Sequence, residues 1–239
     1  MDLLTNNLDI SYFYASQKGR PTLDKDESGG NPFASALVEL LGYEILSFKD
    51  FKHQLVELTK VKSHGFQIPV VPVEDDIDNW QILPVPDNEK RVALVMIFSS
   101  YHDEVRPLLG ASYDMQRISQ SLMKSGFDTI MSIDPQCMEI EVILDGFHAL
   151  SKNADVSLIY LTGHGFQTSD GVYVFPVDYP FRGQSKIFYE RLLKFDSLKR
   201  YFGSSRINAM FYAGCRTVYY SLDDIGTASE VLVSNDEWL

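Results

Sequence analysis

A histidine between two glycines and a cysteine after a third each close an apolar run. Val156-Ser-Leu-Ile-Tyr-Leu161 leads into Thr162-Gly163-His164-Gly165-Phe166, and Ile207-Asn-Ala-Met-Phe-Tyr212 leads into Ala213-Gly214-Cys215-Arg216-Thr217. Open α/β sheets deliver reactive groups from such strand ends. A thiol is a strong nucleophile only as its thiolate, which a neighbouring imidazole can generate. The pairing therefore points to Cys215 as nucleophile and His164 as its acid/base. Acyl chemistry also needs N–H donors for an oxyanion, and the amides of Gly165 and Cys215 are the nearest pair. Either residue taken alone is weak evidence, because a single buried cysteine usually behaves as a small hydrophobe.

The elements that must position these residues are legible around them. Val92 to Phe98 is a continuous apolar run of buried-strand type. Met115, Ile118 and Leu122 fall on one face of a helix that stops near Gly126, and Ile140, Ile143, Leu144, Phe147 and Leu150 mark another. A helix is expected around Phe188 to Tyr201. In the first third, Ile10 to Ala15 reads as a strand. Asn31-Pro32 reads as an N-cap with proline in the first turn, ahead of a helix that ends at Gly42. Ser47 and Asp50 form the start of a further helix. Pro72 to Lys90 is rich in proline and aspartate and reads as a linker. Strand–helix alternation with continuous apolar strands predicts a mostly parallel sheet with helices on both faces, an α/β/α sandwich.

The 239 residues suit one α/β domain, with 45% hydrophobic and 13% aromatic content. The net charge of −12 disfavours nucleic acid, whose phosphates it repels, and favours basic substrates. No apolar run has membrane-spanning length and no secretory leader is evident. The two cysteines, Cys137 and Cys215, form no disulfide framework, so a reducing cytoplasm is the expected location. No histidine or carboxylate cluster has metal-ligand spacing, and the thiol chemistry calls for no cofactor.

Residues 92 to 217 resemble the large-subunit portion of the caspase, metacaspase and paracaspase superfamily. Arg91-Val-Ala-Leu-Val95 resembles its first strand, and Pro107-Leu-Leu-Gly-Ala-Ser-Tyr-Asp114 with Ser125-Gly126-Phe127 resembles its first loop and helix. Leu158 to Gly165 resembles the histidine strand, Gly171 to Asp178 the segment after it, and Tyr212-Ala-Gly-Cys-Arg216 the cysteine strand. His164 and Cys215 stand 51 positions apart, near the roughly 50 of caspases. Many relatives carry Asp or Gln where Ala213 stands. Tyr12 to Gly19, Asp24, Gly30 to Leu37 and Ser63 to Pro69 resemble the small-subunit portion, which in the family follows the cysteine strand. The resemblance thus implies a circular permutation of one domain, 1–239. Its parts are a small-subunit portion (1–71), a linker (72–90), a large-subunit portion (91–220) and a tail (221–239).

The implied activity is a cysteine endopeptidase acting on protein substrates. Asp24 falls near the family position that reads the residue before the cleaved bond, and an acid there implies cleavage after Arg or Lys. Asp114 is either a helix-start residue or a substrate contact. Cleavage between subunits cannot be the switch in a permuted chain, so control falls to an activating partner, a small-molecule signal or the tail. By analogy the setting is a microbial defence or cell-death system. Relatives pair through an edge strand, which here corresponds to a strand near Val70 to Val73 or the one adjoining it, so a homodimer is one arrangement the resemblance allows. The rival reading is a caspase-like pseudoenzyme serving as a protein-interaction module, and other acyl-transfer chemistry on the same dyad is a third. His64, in a second His-Gly-Phe-Gln, lacks a leading apolar strand, and Cys137 sits at a helix start; neither is expected to react.

Overall fold

Apolar runs of seven residues with no polar alternation form strands only where both faces are covered, and the central strands obey this. In the computed structural model, which describes residues 9–73, 80–102, 105–181, 187–204 and 206–216, five parallel strands make the main sheet. They are β1 (Ile10–Tyr14), β4 (Arg91–Ile97), β5 (Phe127–Ile133), β6 (Val156–Thr162) and β10 (Ile207–Tyr212), in the order β1-β10-β6-β4-β5. Every residue of β4, β6 and β10 is buried. The sheet is the one expected of the α/β sandwich.

Alternate side chains build two separate cores. On one face Ala93, Val95 and Ile97 join Leu158, Tyr160, Ala209 and Phe211 beneath three helices. These are α1 (Pro32–Leu40), α2 (Phe48–Lys62) and α3 (Leu109–Lys124). On the other face Leu94, Met96, Ile159, Leu161, Met210 and Tyr212 pack under α4 (Cys137–Ser151) and a small antiparallel sheet. That sheet is β7 (Gly165–Thr168), β8 (Gly171–Val174) and β9 (Leu193–Lys194).

The predicted caps hold. Asn31 accepts the Phe33 N–H at 2.9 Å and Ser47 accepts that of Asp50 at 3.0 Å. The region Phe188 to Tyr201 differs from the expected helix. It is two 3-10 segments, Tyr189–Arg191 and Phe195–Tyr201, separated by β9. Leu193 and Lys194 pair with Val174 and Tyr173, and that ladder breaks any continuous helix. The segment 72–90 also carries more structure than a linker. Within it β3 (Gln81–Leu83) pairs with β2 (Leu46–Ser47), and Trp80 and Ile82 are buried. The Arg91 guanidinium donates to the Ile82 carbonyl at 2.7 Å and stacks on Trp80, tying this segment to β4.

Two strands from opposite ends of the chain meet beside the site. β1 runs parallel to β10 in the register Ile10↔Asn208 to Tyr14↔Tyr212, and Phe13 stacks on Phe211 with centroids 4.4 Å apart. Beyond β1, Tyr14 and Val70 exchange backbone bonds of 2.9 and 2.8 Å in an antiparallel bridge. Among the described residues no helix is long and apolar enough to cross a membrane, and no group of three His, Cys, Asp or Glu is placed to hold a metal ion. The tail 221–239 lies outside the described residues.

Candidate active site

β6 and β10 are adjacent and parallel, so the residues after them emerge side by side at one edge of the sheet. His164 and Cys215 therefore line one cavity of about 430 Å³, together with Gly163, Ala213 and Gly214. Its opposite wall comes from Pro21 to Lys25, and Arg106 to Leu109 supply another side. Gly214 is required here by close approach: a Cβ on it would lie 2.4 Å from the Tyr212 hydroxyl and 2.6 Å from the Gly163 carbonyl oxygen. The Tyr212 hydroxyl also donates to the Cys215 carbonyl at 3.2 Å, which pins the turn that presents the sulfur.

His164 is held through both its ring and its backbone. Its Nε2 lies 2.8 Å from the Arg106 carbonyl oxygen. A carbonyl only accepts, so Nε2 carries the proton and the neutral ring keeps its lone pair on Nδ1. The His164 backbone N–H donates to the Tyr101 hydroxyl at 2.7 Å, and the two rings lie 4.9 Å apart. Loss of hydration pushes the His164 pKa below the ordinary imidazole value, with the bond to Arg106 opposing in part. A neutral ring at neutral pH is the consequence.

The sulfur of Cys215 is approached by the first third of the chain. The Thr22 N–H donates to Sγ at 3.4 Å, with the Thr22 hydroxyl 3.5 Å away. This segment is fastened to the cysteine loop by two backbone bonds, Gly19 N–H to the Arg216 carbonyl at 2.8 Å and Arg216 N–H to the Arg20 carbonyl at 3.1 Å. The buried Arg216 side chain adds bonds to Gln167 and to the Ser16 carbonyl, and stacks on Tyr14.

Gly165 is the residue after the cavity-lining His164. The His164 carbonyl accepts the Phe175 N–H at 3.0 Å, so Gly165 and Val174, the next antiparallel pair, are of the non-hydrogen-bonded kind. The ladder thus leaves the Gly165 amide unclaimed.

Asp24 lines the cavity and is half-buried. Both its oxygens lie 3.1 Å from the Gly110 nitrogen, at the start of α3, a helix with no side-chain cap of its own. The same carboxylate therefore faces the cavity and completes a helix end. Lys25 and Arg106 also line the cavity but are exposed. Asp114 sits within α3, fully buried behind the wall. One oxygen accepts the Asn31 N–H at 2.9 Å; the other accepts no hydrogen bond among the described residues but lies 3.5 Å from the Arg117 guanidinium. Burial pushes its pKa up to about 7.

His64 stands apart in a turn at φ 50°, exposed and 3.4 Å from Glu27. Cys137 opens α4, where its N–H donates to Asp178 and burial raises its thiol pKa. Sequence reasoning missed Thr22, Tyr101 and the Arg106 carbonyl. Two of these act through backbone atoms, which residue types do not advertise.

The α/β sheet brings a histidine and a cysteine from neighbouring strand ends into one cleft, an arrangement that can support thiol chemistry. Residues 90–228 match the caspase domain family, more than half of the chain, and the chain belongs to that family of cysteine peptidases. No curated protein matches it.

Proposed function

We propose that the protein is a cysteine endopeptidase that cleaves after Arg or Lys through a Cys215–His164 dyad. The observation that carries this reading is the shared cavity: His164, Cys215 and Asp24 line it together. The Nδ1 lone pair takes the Sγ proton, and the sulfur bonds to the scissile carbonyl carbon. The oxyanion so formed is met by the amides of Gly165 and Cys215. His164 then returns the proton to the departing amine as the C–N bond breaks, leaving a thioester. Water, deprotonated by the same nitrogen, hydrolyses the thioester and restores the thiol.

Asp24 gives the pocket its acid. The neighbouring walls, from Pro21, Leu23, Leu108 and Leu109, suit the methylene stem of a basic side chain. The pairing of the first strand with the last supports a permuted order of the two portions, with the recognition segment first. The test is a panel of peptide reporters ending in Arg, Lys, Asp or a neutral residue, cleaved by wild type and Cys215→Ala. Turnover after Arg or Lys that disappears in the variant is expected. Turnover after Asp overturns the role of Asp24, and turnover that persists in Cys215→Ala overturns the dyad.

A further inference from the structure

A second cavity, of about 350 Å³, opens beside the first and shares Pro21 and Phe66 with it. Its remaining lining is Gln17, Arg20, Gly65 and Ile68. The two cavities adjoin at Pro21 and Phe66, and Cys215 lines the first of them. Phe66 and Ile68 are 41% and 38% exposed, enough apolar surface to receive a side-chain stem.

Among the described residues, Arg20 supplies the only charge in this lining. Its backbone is fixed: the carbonyl accepts bonds from the Arg216 N–H and the Ser16 hydroxyl, one residue from the nucleophile. Its side chain is the opposite, exposed and bonded to nothing among the described residues. In a chain of net charge −12, where acids outnumber bases, an unpaired guanidinium at a built position beside the thiol is a group waiting for a carboxylate.

Direction follows from the local order of the chain. Thr22 marks the thiol. Asp24 lies two residues beyond it and Arg20 two residues before it, and no helix or turn interrupts 20–23. Asp24 lines the first cavity and not the second, and Arg20 the second and not the first, so the two charges occupy separate cavities that meet at Pro21 and Phe66. If Asp24 takes the residue before the cleaved bond, Arg20 faces the residues after it.

We propose that the Arg20 cavity is a leaving-group-side subsite that selects substrates with an acidic side chain, Asp or Glu, within the first residues after the cleaved bond. The assignment of side rests on the proposed cleavage after a basic residue; the acid preference rests on Arg20 alone. The preferred sequence is then a basic residue followed closely by an acidic one, a charge order complementary to Asp24 and Arg20 in the two adjoining cavities.

The test uses quenched fluorescent peptides with a fixed Arg and with Glu, Gln or Lys at each of the first three positions after it, the cleaved bond being identified by mass spectrometry. Wild type is expected to prefer Glu to Lys by about fivefold in kcat/KM at low salt, the scale of one exposed ion pair. Arg20→Gln removes the preference, Arg20→Glu inverts it, and Arg20→Lys restores part of it. The same peptides are also titrated onto Cys215→Ala by fluorescence anisotropy, so that recognition is measured without turnover. Cleavage after Arg with no Glu preference, or a preference indifferent to Arg20, overturns the subsite and leaves the peptidase. Tighter binding of Glu peptides to Cys215→Ala, lost on adding Arg20→Gln, with no turnover by wild type, upholds the subsite and overturns the peptidase reading.

Discussion

The portion proposed to carry the chemistry and the portion proposed to carry recognition are built differently. His164 and Cys215 stand at the ends of fully buried neighbouring strands, β6 and β10, with glycines holding the loops close. The cavity wall facing them is a loop segment, Pro21 to Lys25, held by single bonds. Leu23 N–H donates to Gln67 at 2.8 Å, Asn31 donates to the Leu23 carbonyl at 2.6 Å, and Arg216 reaches back to Ser16. In the proposed function the reacting groups are placed by the sheet, while selectivity is left to a loop that tolerates change.

Substitutions separate the two portions. Cys215→Ala is expected to lower peptide turnover by at least about 10³-fold, and His164→Ala by about 10²- to 10⁴-fold, with little change in KM. Gly214→Ala forces a methyl onto the Tyr212 hydroxyl and the Gly163 carbonyl, so turnover falls although no reacting group is removed. Asp24→Asn acts on the other portion. It retains an oxygen to accept the Gly110 N–H, and is expected to shift the Arg-to-neutral preference by about tenfold. Equal losses for Arg and neutral reporters would assign Asp24 to the α3 cap alone.

Effects of pH follow the two buried titrating groups. Burial holds the His164 pKa below the ordinary imidazole value, so kcat/KM stays on its plateau at neutral pH and falls only on acidification below that range. The Asp114 pKa is raised in the folded state, to about 7. The folded protein therefore binds this proton more tightly than the unfolded chain. Stability is highest below the unfolded carboxyl range and is lost as pH rises towards and through about 7. Melting temperature is expected to fall between pH 5 and pH 8, and Asp114→Asn to flatten that slope. Smallest is Ser47→Ala, which removes the cap of α2 at a cost of about 1 kcal/mol, lowering the melting temperature with the Arg preference unchanged.

The sheet and the two strand-end residues that share the cavity were legible because buried parallel strands leave long apolar runs and because glycine marks close approach. The caps at Asn31 and Ser47 were legible for a similar reason: few residue types close a helix end. What escaped reading was held by backbone or by long-range pairing. The Arg106 carbonyl that fixes the His164 tautomer belongs to no residue type. The segment from Phe188 to Tyr201 has helix-compatible residues, and only its pairing with β8 shows why it is not one. Trp80 and Ile82 sit in a Pro- and Asp-rich stretch whose composition hides a short strand with one buried residue. Asp24 showed its charge in the sequence but not its bonds to the Gly110 N–H at the start of α3.

The central claim is that His164 makes a nucleophile of Cys215. The most direct measurement is the rate of alkylation by iodoacetamide near neutral pH, resolved at Cys215 and Cys137 by peptide mass spectrometry, in wild type and His164→Ala. The account predicts that Cys215 labels far faster than Cys137 in wild type and slows to a comparable rate in the variant. Slow and equal labelling of both thiols in wild type, or fast labelling of Cys215 untouched by loss of His164, would contradict it.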